Sequence, residues 1–221
     1  MIENTPFPKE FKTDDALAAE YLIQQSLNAS IPVEHIGITK EQVIAKLDEA
    51  WMRQNGCRLK EWIDDIYNPH SNWANNRTVI LLDGGTIVDR AYVSQAFLFR
   101  AIVNNASRAK SNCLTKRSDE LVMGLAQWGE RRDEILKTMI RVQCLLISEI
   151  SGQTPSSATL ANIYFNELLQ ARQDENRPTI LTFAIPDIEK RNHGEFSRLL
   201  DEIVKQPNLG LRKVYRFRLG L

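Results

Sequence analysis

The sequence predicts an α/β protein with a parallel β-sheet that is covered by helices on both faces. Three short apolar runs suit strands that are buried on both sides, at residues 78–82 (TVILL), 143–147 (QCLLI) and 178–183 (PTILTF). Segments of helical length separate these runs, and strands that alternate with such helices form βαβ units. A sheet-containing domain is therefore expected at residues 71–221, after an N-terminal helical segment at residues 1–70.

The composition is that of an ordinary globular protein and argues against several classes of function. The 221 residues include 28 basic and 28 acidic side chains, so no net charge directs the chain to nucleic acid or membranes. Its cysteines, Cys57, Cys113 and Cys144, form no CxxC pair, which argues against a disulfide framework or a zinc site. No apolar run reaches the ~18 residues that span a membrane. We expect a cytoplasmic protein without a membrane partner.

Helical patterns dominate the N-terminal segment. The first predicted helix covers residues 14–27. Thr39 is expected to cap the second helix, because Gln42 completes a capping box, and this helix should run to Gly56. A third helix is predicted at residues 59–67.

Helices and short strands alternate after the first apolar run. The predicted helices lie at residues 90–105, from residue 118, and at 130–141, 156–173 and 189–205. Short strands are predicted near Cys113 and at residues 213–218. These elements complete the expected sheet.

Three segments together resemble one protein family. Residues 79–91 (VILLDGGTIVDRA) form a strand, turn and helix at the place where a P-loop occurs, and residues 144–150 (CLLISEI) resemble a Walker B strand. Residues 168–182 (LLQARQDENRPTILT) resemble the stretch that leads into sensor 1. The family they resemble is that of the AAA+ ATPases, in the branch of the bacterial replicative-helicase loaders of the DnaC type and the related IstB transposition ATPases.

This resemblance implies a three-layer P-loop NTPase core of the AAA+ type, preceded by N-terminal helices and without a C-terminal lid domain. Helicase loaders bind their partner through an N-terminal extension, so the resemblance implies the same role for residues 1–70. The resemblance covers residues 78–221, and the three motifs give no counterpart for the N-terminal helices of this chain.

The phosphate-binding positions depart from the family pattern. In G-x-x-x-x-G-K-S/T, backbone N–H groups and the lysine hold phosphates, and the hydroxyl holds magnesium. On that frame, starting at Gly84, the second glycine is Asp89, the lysine is Arg90 and the hydroxyl residue is Ala91. Asp89 places a carboxylate where phosphate approaches, Arg90 is bulkier than lysine, and Ala91 offers magnesium no oxygen.

The other two motifs depart in the same direction. Ser148 stands where the magnesium-directing aspartate is expected, and Glu149 keeps the position of the catalytic base. At sensor 1, Phe183 and Ala184 replace a polar Ser-Asn pair. Concordant losses in three places predict that the site does not hydrolyse ATP. No cofactor is assigned, and binding of ATP and magnesium without hydrolysis is left open.

Each of these features also has a plainer interpretation. Gly84 and Gly85 are typical of a tight turn in many α/β proteins, and Glu149 is equally consistent with a surface acid. Arg198 falls in the arginine-finger region of helicase loaders, but a helix arginine in an exposed salt bridge is the commoner case.

A basic stretch near the C-terminus suits a phosphate backbone or an acidic partner, whereas a strand with one solvated face gives the same alternation of side chains. Its candidate contact residues are Arg212, Lys213, Arg216 and Arg218.

Three hypotheses for the function follow. The first is a non-hydrolysing AAA+-like protein that acts as a protein-interaction module in DNA replication or mobile-element DNA transactions, on a replicative helicase or a transposition component. It predicts that Arg90→Ala leaves both the function and the fold nearly unchanged. The second is a divergent but active ATPase that uses Arg90 and Glu149, and the third is a structural subunit of a larger assembly with no DNA role. DNA contact is expected to be weak, and self-association is left open.

Overall fold

A five-stranded parallel sheet forms the centre of the described part of the chain. The computed structural model describes residues 16–106, 112–126, 129–150, 167–184 and 213–220. The strands are β1 (Thr78–Gly84), β2 (Cys113–Arg117), β3 (Cys144–Ile150), β4 (Thr179–Phe183) and β5 (Lys213–Leu219). Their order is β2-β3-β4-β1-β5, and all four pairs are parallel. The predicted parallel sheet is confirmed.

Helices cover both faces of this sheet. The helices of the second half are α5 (Ile87–Asn104), α6 (Ser118–Leu125) and α7 (Glu130–Arg141), and residues 167–174 are also helical. Because successive strand residues point to opposite faces, Ile80 packs in the same hydrophobic cluster as α5, whereas Leu81 packs with α6 and α7. The molecule therefore has the three layers that the sequence predicts. None of the described helices is long and apolar enough to cross a membrane.

The N-terminal helices share a hydrophobic core with the sheet. They are α1 (Ala16–Asn28), α2 (Lys40–Ile44), α3 (Glu49–Gln54) and α4 (Leu59–Tyr67). Leu22 of α1, Met52 of α3 and Ile63 of α4 are buried in the cluster that also contains Phe97 of α5 and Phe217 of β5. The expected boundary at residue 70 thus lies between two regions that bury apolar side chains against each other.

The capping box at Thr39 is present, but the helix that it begins is shorter than expected. The Thr39 hydroxyl accepts from the Gln42 N–H, and the Gln42 side chain accepts from the Thr39 N–H. The prediction of one helix from this cap to Gly56 is wrong, because residues 45–48 interrupt it between α2 and α3.

This interruption covers the outer edge of β5. Leu47 forms an antiparallel bridge with Leu219, the Asp48 N–H donates to the Arg218 carbonyl over 2.8 Å, and the Gly220 N–H donates to the Lys46 carbonyl over 2.9 Å. An exposed strand edge carries unpaired backbone groups, and here part of it is paired within the chain. The hydrogen bonds gained along β5 explain why the helix stops.

The remaining helix predictions have mixed outcomes. The helices at residues 59–67 and 130–141 and the one from residue 118 are confirmed, whereas the helix expected from Arg90 already begins at Ile87. Of the helix predicted at residues 156–173, the part from residue 167 onward is helical, and the rest lies outside the described residues. The helix predicted at residues 189–205 lies entirely outside them.

A buried arginine links α7 to the sheet. Arg172 is fully buried, and its guanidinium donates to the carbonyls of Met139 (2.6 Å) and Val142 (2.9 Å) and to the Thr179 hydroxyl (3.0 Å). A further N–H reaches the Pro178 carbonyl. Burial lowers its pKa to about 10, so the group still carries its charge at neutral pH. The charge faces the carbonyl end of a helix, where a cation is favourable.

Candidate functional site

The predicted site residues meet where the parallel strands end. Gly84 closes β1, Arg90 lies in the second turn of α5, and Glu149 lies near the end of β3. Strands β1 and β3 flank β4, so their carboxyl ends lie close together at one edge of the sheet. In open α/β sheets this edge is where ligands usually bind.

The two glycines serve a tight turn against β5. Gly84 and Gly85 have φ values of 75° and 55°, which side chains rarely adopt. A Cβ on Gly84 would lie 2.6 Å from the carbonyl oxygen of Leu219, and a Cβ on Gly85 would lie 2.8 Å from the Leu219 Cβ. The turn conformation and the close approach of β5 therefore explain both glycines without a bound phosphate.

Arg90 and Glu149 form a bidentate ion pair across the site. The Arg90 Nε donates to one Glu149 carboxylate oxygen over 2.8 Å, and Nη2 donates to the other over 2.7 Å. The Arg90 Nη1 donates to the carbonyl oxygens of Gly84 and Gly85, each over 3.0 Å. Only 9% of the Arg90 side chain and 17% of the Glu149 side chain are exposed, so water competes weakly for these contacts. The residues at the expected lysine and base positions are thus bound to each other.

Glu149 reaches Arg90 from an unusual backbone conformation. Its φ is 58°, in the left-handed region, and the pairing of β3 with β4 shifts register between Ile147 and Ile150. Its N–H donates to the Thr182 hydroxyl over 2.9 Å, and its carbonyl accepts from the Ser118 hydroxyl over 2.8 Å. Such a conformation costs about 1–3 kcal/mol and persists where surrounding contacts fix it. Bulges of this kind redirect a side chain, here toward Arg90.

A second carboxylate occupies the N-terminus of α5. Asp89 forms a capping box with Thr86, accepting from the Thr86 N–H and hydroxyl while its own N–H donates to the Thr86 hydroxyl. The Lys46 ammonium donates to Asp89 over 2.8 Å. The hydrogen bonds from Lys46 and Thr86 lower the pKa of Asp89 to about 2. A negative charge is favourable at this end of a helix, and the protein supplies it from its own chain.

The start of α5 also shortens the loop after β1. In a P-loop the motif stands between the strand and the helix. Here β1 ends at Gly84 and α5 begins at Ile87, so only Gly85 and Thr86 lie between them. Asp89, which aligns with the second glycine of the motif, is already in the first helical turn.

The remaining predicted positions add few polar groups. Ala91 follows Arg90 in α5 and carries no oxygen, and the Ser148 hydroxyl lies 3.5 Å from the Lys116 carbonyl, which it contacts as a donor. Phe183 is buried in the cluster beneath α6 and α7, and Ala184 is exposed. Among the described residues no group of three or more histidine, cysteine, aspartate or glutamate side chains is placed to hold a metal ion.

Comparison with solved structures identifies the fold. A DNA replication initiation factor superposes with a TM-score of 0.52 at 12% identity, over 72% of this chain and 45% of its own. The replication initiator DnaA with AMPPCP and single-stranded DNA gives 0.51 at 12% identity, over 73% and 46%. A provisionally assigned primosome component from Streptococcus pyogenes serotype M3 gives 0.52 at 13% identity, over 89% and 94%. The chain has an AAA+ fold like that of replication initiators.

The AAA+ fold agrees with the resemblance found in the sequence, at the level of architecture. The chain spans less than half of the length of the two replication initiators, but nearly all of the length of the primosome component. No protein-family model matches the sequence, and no curated protein matches it.

In this AAA+ fold the basic side chains of the last strand have partners within the chain. Arg218 forms a bidentate ion pair with the buried Asp83, at 2.9 and 3.1 Å, and Arg216 lies 3.4 Å from the same carboxylate. Both guanidinium groups lie over the ring of Trp51, at 4.1 Å for Arg218 and 4.7 Å for Arg216. Lys213 pairs with Asp65 over 3.3 Å. These contacts join β5 to β1 and to the N-terminal helices.

Two of the predicted residues cannot be placed, because Arg198 and Arg212 lie outside the described residues. Two residues of the site were not predicted, namely Ser118 and Thr182, which hold the backbone of Glu149. Thr182 directly precedes the altered sensor 1 pair, and that position is the only signal in the sequence that points to it. The Thr86 and Asp89 spacing, T-x-x-D before an apolar run, also carries a capping-box signal.

Proposed function

We propose that this chain is a non-hydrolysing AAA+-like protein that acts as a protein-interaction module in DNA replication or in transactions of mobile-element DNA. The bidentate ion pair between Arg90 and Glu149 is the observation that supports the proposed lack of hydrolysis. These residues align with the phosphate-binding lysine and the catalytic base of an active AAA+ site. In the folded protein these two side chains bind each other.

The ion pair opposes both steps that ATP hydrolysis requires. To contact a phosphate, Arg90 would have to leave Glu149 and the carbonyls of Gly84 and Gly85. To accept a proton from water, Glu149 would need a carboxylate oxygen that now accepts from the guanidinium. Breaking a largely buried ion pair is strongly unfavourable unless a new partner replaces the old one.

The start of α5 supports the same proposal. A phosphate at a helix N-terminus binds free backbone N–H groups. In this chain the Thr86 and Asp89 N–H groups are occupied by the capping box, and the carboxylate of Asp89 would repel a phosphate. An incoming nucleotide would have to displace these contacts as well as the ion pair.

The replication context of the proposal rests on similarity of fold. Two of the structures that superpose on this chain are replication initiators, and a third is the provisionally assigned primosome component. The partner we propose is a protein of such an assembly, a replicative helicase or a transposition component. Any contact with DNA would be weak, since the chain has no net charge and Arg216 and Arg218 are already paired with Asp83 within the chain.

A divergent but active ATPase is the second candidate, and the same pair of residues favours it. Arg90 and Glu149 are both retained and lie in contact, so a nucleotide that drew Arg90 onto its phosphates would release Glu149 beside it. The ATPase candidate requires that nucleotide binding break the ion pair between Arg90 and Glu149. The proposed function requires that this ion pair remain intact.

Calorimetry with ATP and with ADP in the presence of magnesium, followed by a phosphate-release assay on the same sample, separates the two. We expect no binding heat and no turnover, both for the wild-type chain and for Glu149→Gln. If the Glu149→Gln variant releases phosphate as fast as the wild-type chain, that release comes from a contaminating ATPase and not from this site. Micromolar binding with turnover that Glu149→Gln abolishes would establish the divergent ATPase and overturn the proposal.

A further inference from the structure

A cluster of arginines lies at the amino-terminal edge of the sheet, the edge opposite to the Arg90–Glu149 site. The segments that lead into β1, β3 and β4 meet at this edge, because the three strands are parallel and β4 lies between the other two. These segments, residues 75–77, 141–143 and 172–178, contain four arginines and two acidic residues. The chain as a whole has no net charge, so the excess of positive charge is local to this edge.

Two of these arginines are oriented by neutral amides. The Arg77 Nε donates to the side-chain oxygen of Asn176 over 3.0 Å. The Arg177 Nη1 donates to the side-chain oxygen of Gln143 over 3.3 Å, and the Gln143 amide donates to the Asn75 side chain over 2.9 Å. A neutral acceptor positions a guanidinium without compensating its charge, so both arginines remain available to an anion.

These contacts differ from those of other arginines. Several arginines in the described part of the chain pair with a carboxylate, namely Arg58, Arg90, Arg117, Arg132 and Arg218. Within the same described residues Arg77 forms no ion pair. The Glu175 carboxylate lies 3.9 Å from the Arg177 Nη2, which is beyond hydrogen-bond distance, and 59% of the Glu175 side chain is exposed. A carboxylate of the same loop is therefore nearby but does not bind the guanidinium.

The hydrogen bonds of Arg177 are incomplete. The Nε and Nη2 groups of an arginine can donate side by side to two oxygens of one anion, as Arg90 does to Glu149. In Arg177 the Nε is buried and has no acceptor among the described residues. A buried donor without an acceptor is unfavourable, so an oxyanion beside this pair of nitrogens would supply what the protein lacks.

A third guanidinium adds to the positive charge at this edge. Arg172 is buried, and its acceptors are carbonyl and hydroxyl oxygens, none of which carries a full negative charge. Burial is the main cause of its lowered pKa, and the charge of Arg177 acts in the same direction. The two guanidinium groups are therefore near enough to repel each other, and an anion beside Arg177 would offset that repulsion.

We propose that Arg77 and Arg177 bind the phosphate group of a phosphate monoester. The planar guanidinium matches the oxygens of phosphate and of carboxylate, and the charge decides between them. One carboxylate, Glu175, is already beside Arg177 without contacting it, so a ligand needs more than one negative charge to compete. A phosphate monoester carries about −1.5 to −2 at neutral pH. This site is separate from the Arg90–Glu149 site, and it does not depend on the proposed function.

Titration of the full chain with methyl phosphate, followed by the arginine Nε–H signals in ¹H–¹⁵N NMR spectra, tests this inference. At constant ionic strength we expect saturable shifts of the Arg77 and Arg177 signals, with a dissociation constant on the order of 1 mM. Arg77→Gln and Arg177→Gln should each weaken binding about tenfold, because each removes a charged donor. The matched control is Arg117→Gln, because Arg117 is exposed, pairs with Asp119 and ends β2 at the opposite edge.

A gain in affinity provides a test that does not disturb either arginine. Glu175→Gln removes the exposed carboxylate beside Arg177 and should tighten binding of methyl phosphate about threefold. Acetate, which carries a single charge, should give no saturable shift at the same concentrations. An unchanged or weaker affinity in Glu175→Gln would contradict the assignment of the site.

Three outcomes overturn the inference. The first is the lack of a saturable shift at methyl phosphate concentrations about tenfold above the expected dissociation constant. The second is a shift that Arg90→Ala abolishes and Arg177→Gln leaves intact, because the phosphate would then bind at the turn after β1.

The third is a preference for another source of phosphate. If inorganic phosphate shifts the signals and methyl phosphate does not, the site takes the free ion. If a single-stranded oligonucleotide without terminal phosphates shifts them at lower concentration than methyl phosphate, the site binds a nucleic-acid backbone. The proposed lack of ATP hydrolysis is measured by turnover, so its failure is distinguishable from a failure at this site.

Discussion

The guanidinium of Arg90 joins three parts of the chain, the turn after β1, helix α5 and the end of β3. Arg90→Ala removes all of these contacts and leaves the carboxylate of Glu149 largely buried without a partner. We expect the free energy of unfolding to fall by about 2–3 kcal/mol, below the full value for a buried pair because Glu149 keeps some contact with water. Urea denaturation followed by circular dichroism measures this loss. The ion pair therefore predicts a measurable loss of stability, whereas the sequence alone predicts that this change leaves the function and the fold nearly unchanged.

The control for Arg90 is an arginine whose ion pair is exposed. Arg117 pairs with Asp119 over 3.1 Å, and 58% of each side chain is exposed. Arg117→Ala should therefore change the midpoint of urea denaturation far less than Arg90→Ala does, because water screens an exposed ion pair. Equal losses for the two variants would show that the Arg90 pair is as weak as a surface pair.

Asp89 predicts a specific dependence of stability on pH. The hydrogen bonds from Lys46 and Thr86 lower its pKa to about 2, whereas an unfolded aspartate titrates near ~3.9. A lowered pKa means that Asp89 contributes stability above the unfolded value and loses that contribution as the pH falls from about 4 to about 2. Thermal melting of the wild-type chain and of Asp89→Asn, measured from pH 2 to 7, should give melting temperatures that differ at neutral pH and converge in acid. A constant difference across this range contradicts the assignment.

Two residues of the site, Arg90 and Glu149, were singled out from the sequence, but the contact between them was not. Alignment with the family motif singled out Arg90 and Glu149 separately. Their pairing depends on the left-handed backbone of Glu149 and the register shift of β3, and neither has a signature in the residue types. The basic residues of the last strand illustrate the same limit, because their alternation was visible and their partner Asp83 was not.

At the scale of the secondary-structure elements, the side chain of Arg172 connects the end of α7 to the start of β4 by hydrogen bonds. Arg172 satisfies carbonyl groups at the end of α7 and contacts the start of β4 at Thr179. Arg172→Met keeps the length of the side chain but leaves those buried carbonyls without a donor, which costs about 1–3 kcal/mol for each unsatisfied group. We expect faster hydrogen exchange in the last turn of α7 and in β4. The exposed Arg131→Met in the same helix should leave both exchange rates unchanged.

The strands were predicted with more success than the helices, and the reason is physical. A strand buried on both faces requires a continuous apolar run, which β1, β3 and β4 show directly in sequence. A helix can be interrupted by contacts that are distant in sequence, as between α2 and α3, where residues 46–48 pair with the end of β5. Local patterns predicted a continuous helix there because the competing hydrogen bonds come from residues about 170 positions away.

At the scale of the whole molecule, the N-terminal helices share one hydrophobic core with the sheet. They bury Leu22, Met52 and Ile63 in the same cluster as the helix and strands of one sheet face. A chain that begins at residue 71 would expose that face, and we expect it not to fold cooperatively. Circular dichroism and thermal melting of residues 71–221 measure this directly.

A point substitution tests the same idea in the full-length chain. Met52 is fully buried in α3, so Met52→Ala should lower the free energy of unfolding by about 2–5 kcal/mol and shift the single transition of the whole protein. The matched control is Met123→Ala, because Met123 is 63% exposed and its loss should change stability by less than ~0.5 kcal/mol. If residues 1–70 were a detachable arm for a partner, Met52→Ala would melt that arm alone, and the unfolding of the sheet would stay where it is in the wild-type chain. One shifted transition therefore indicates that a partner must dock on a surface of the assembled molecule, because the N-terminal helices cannot leave the core without unfolding it.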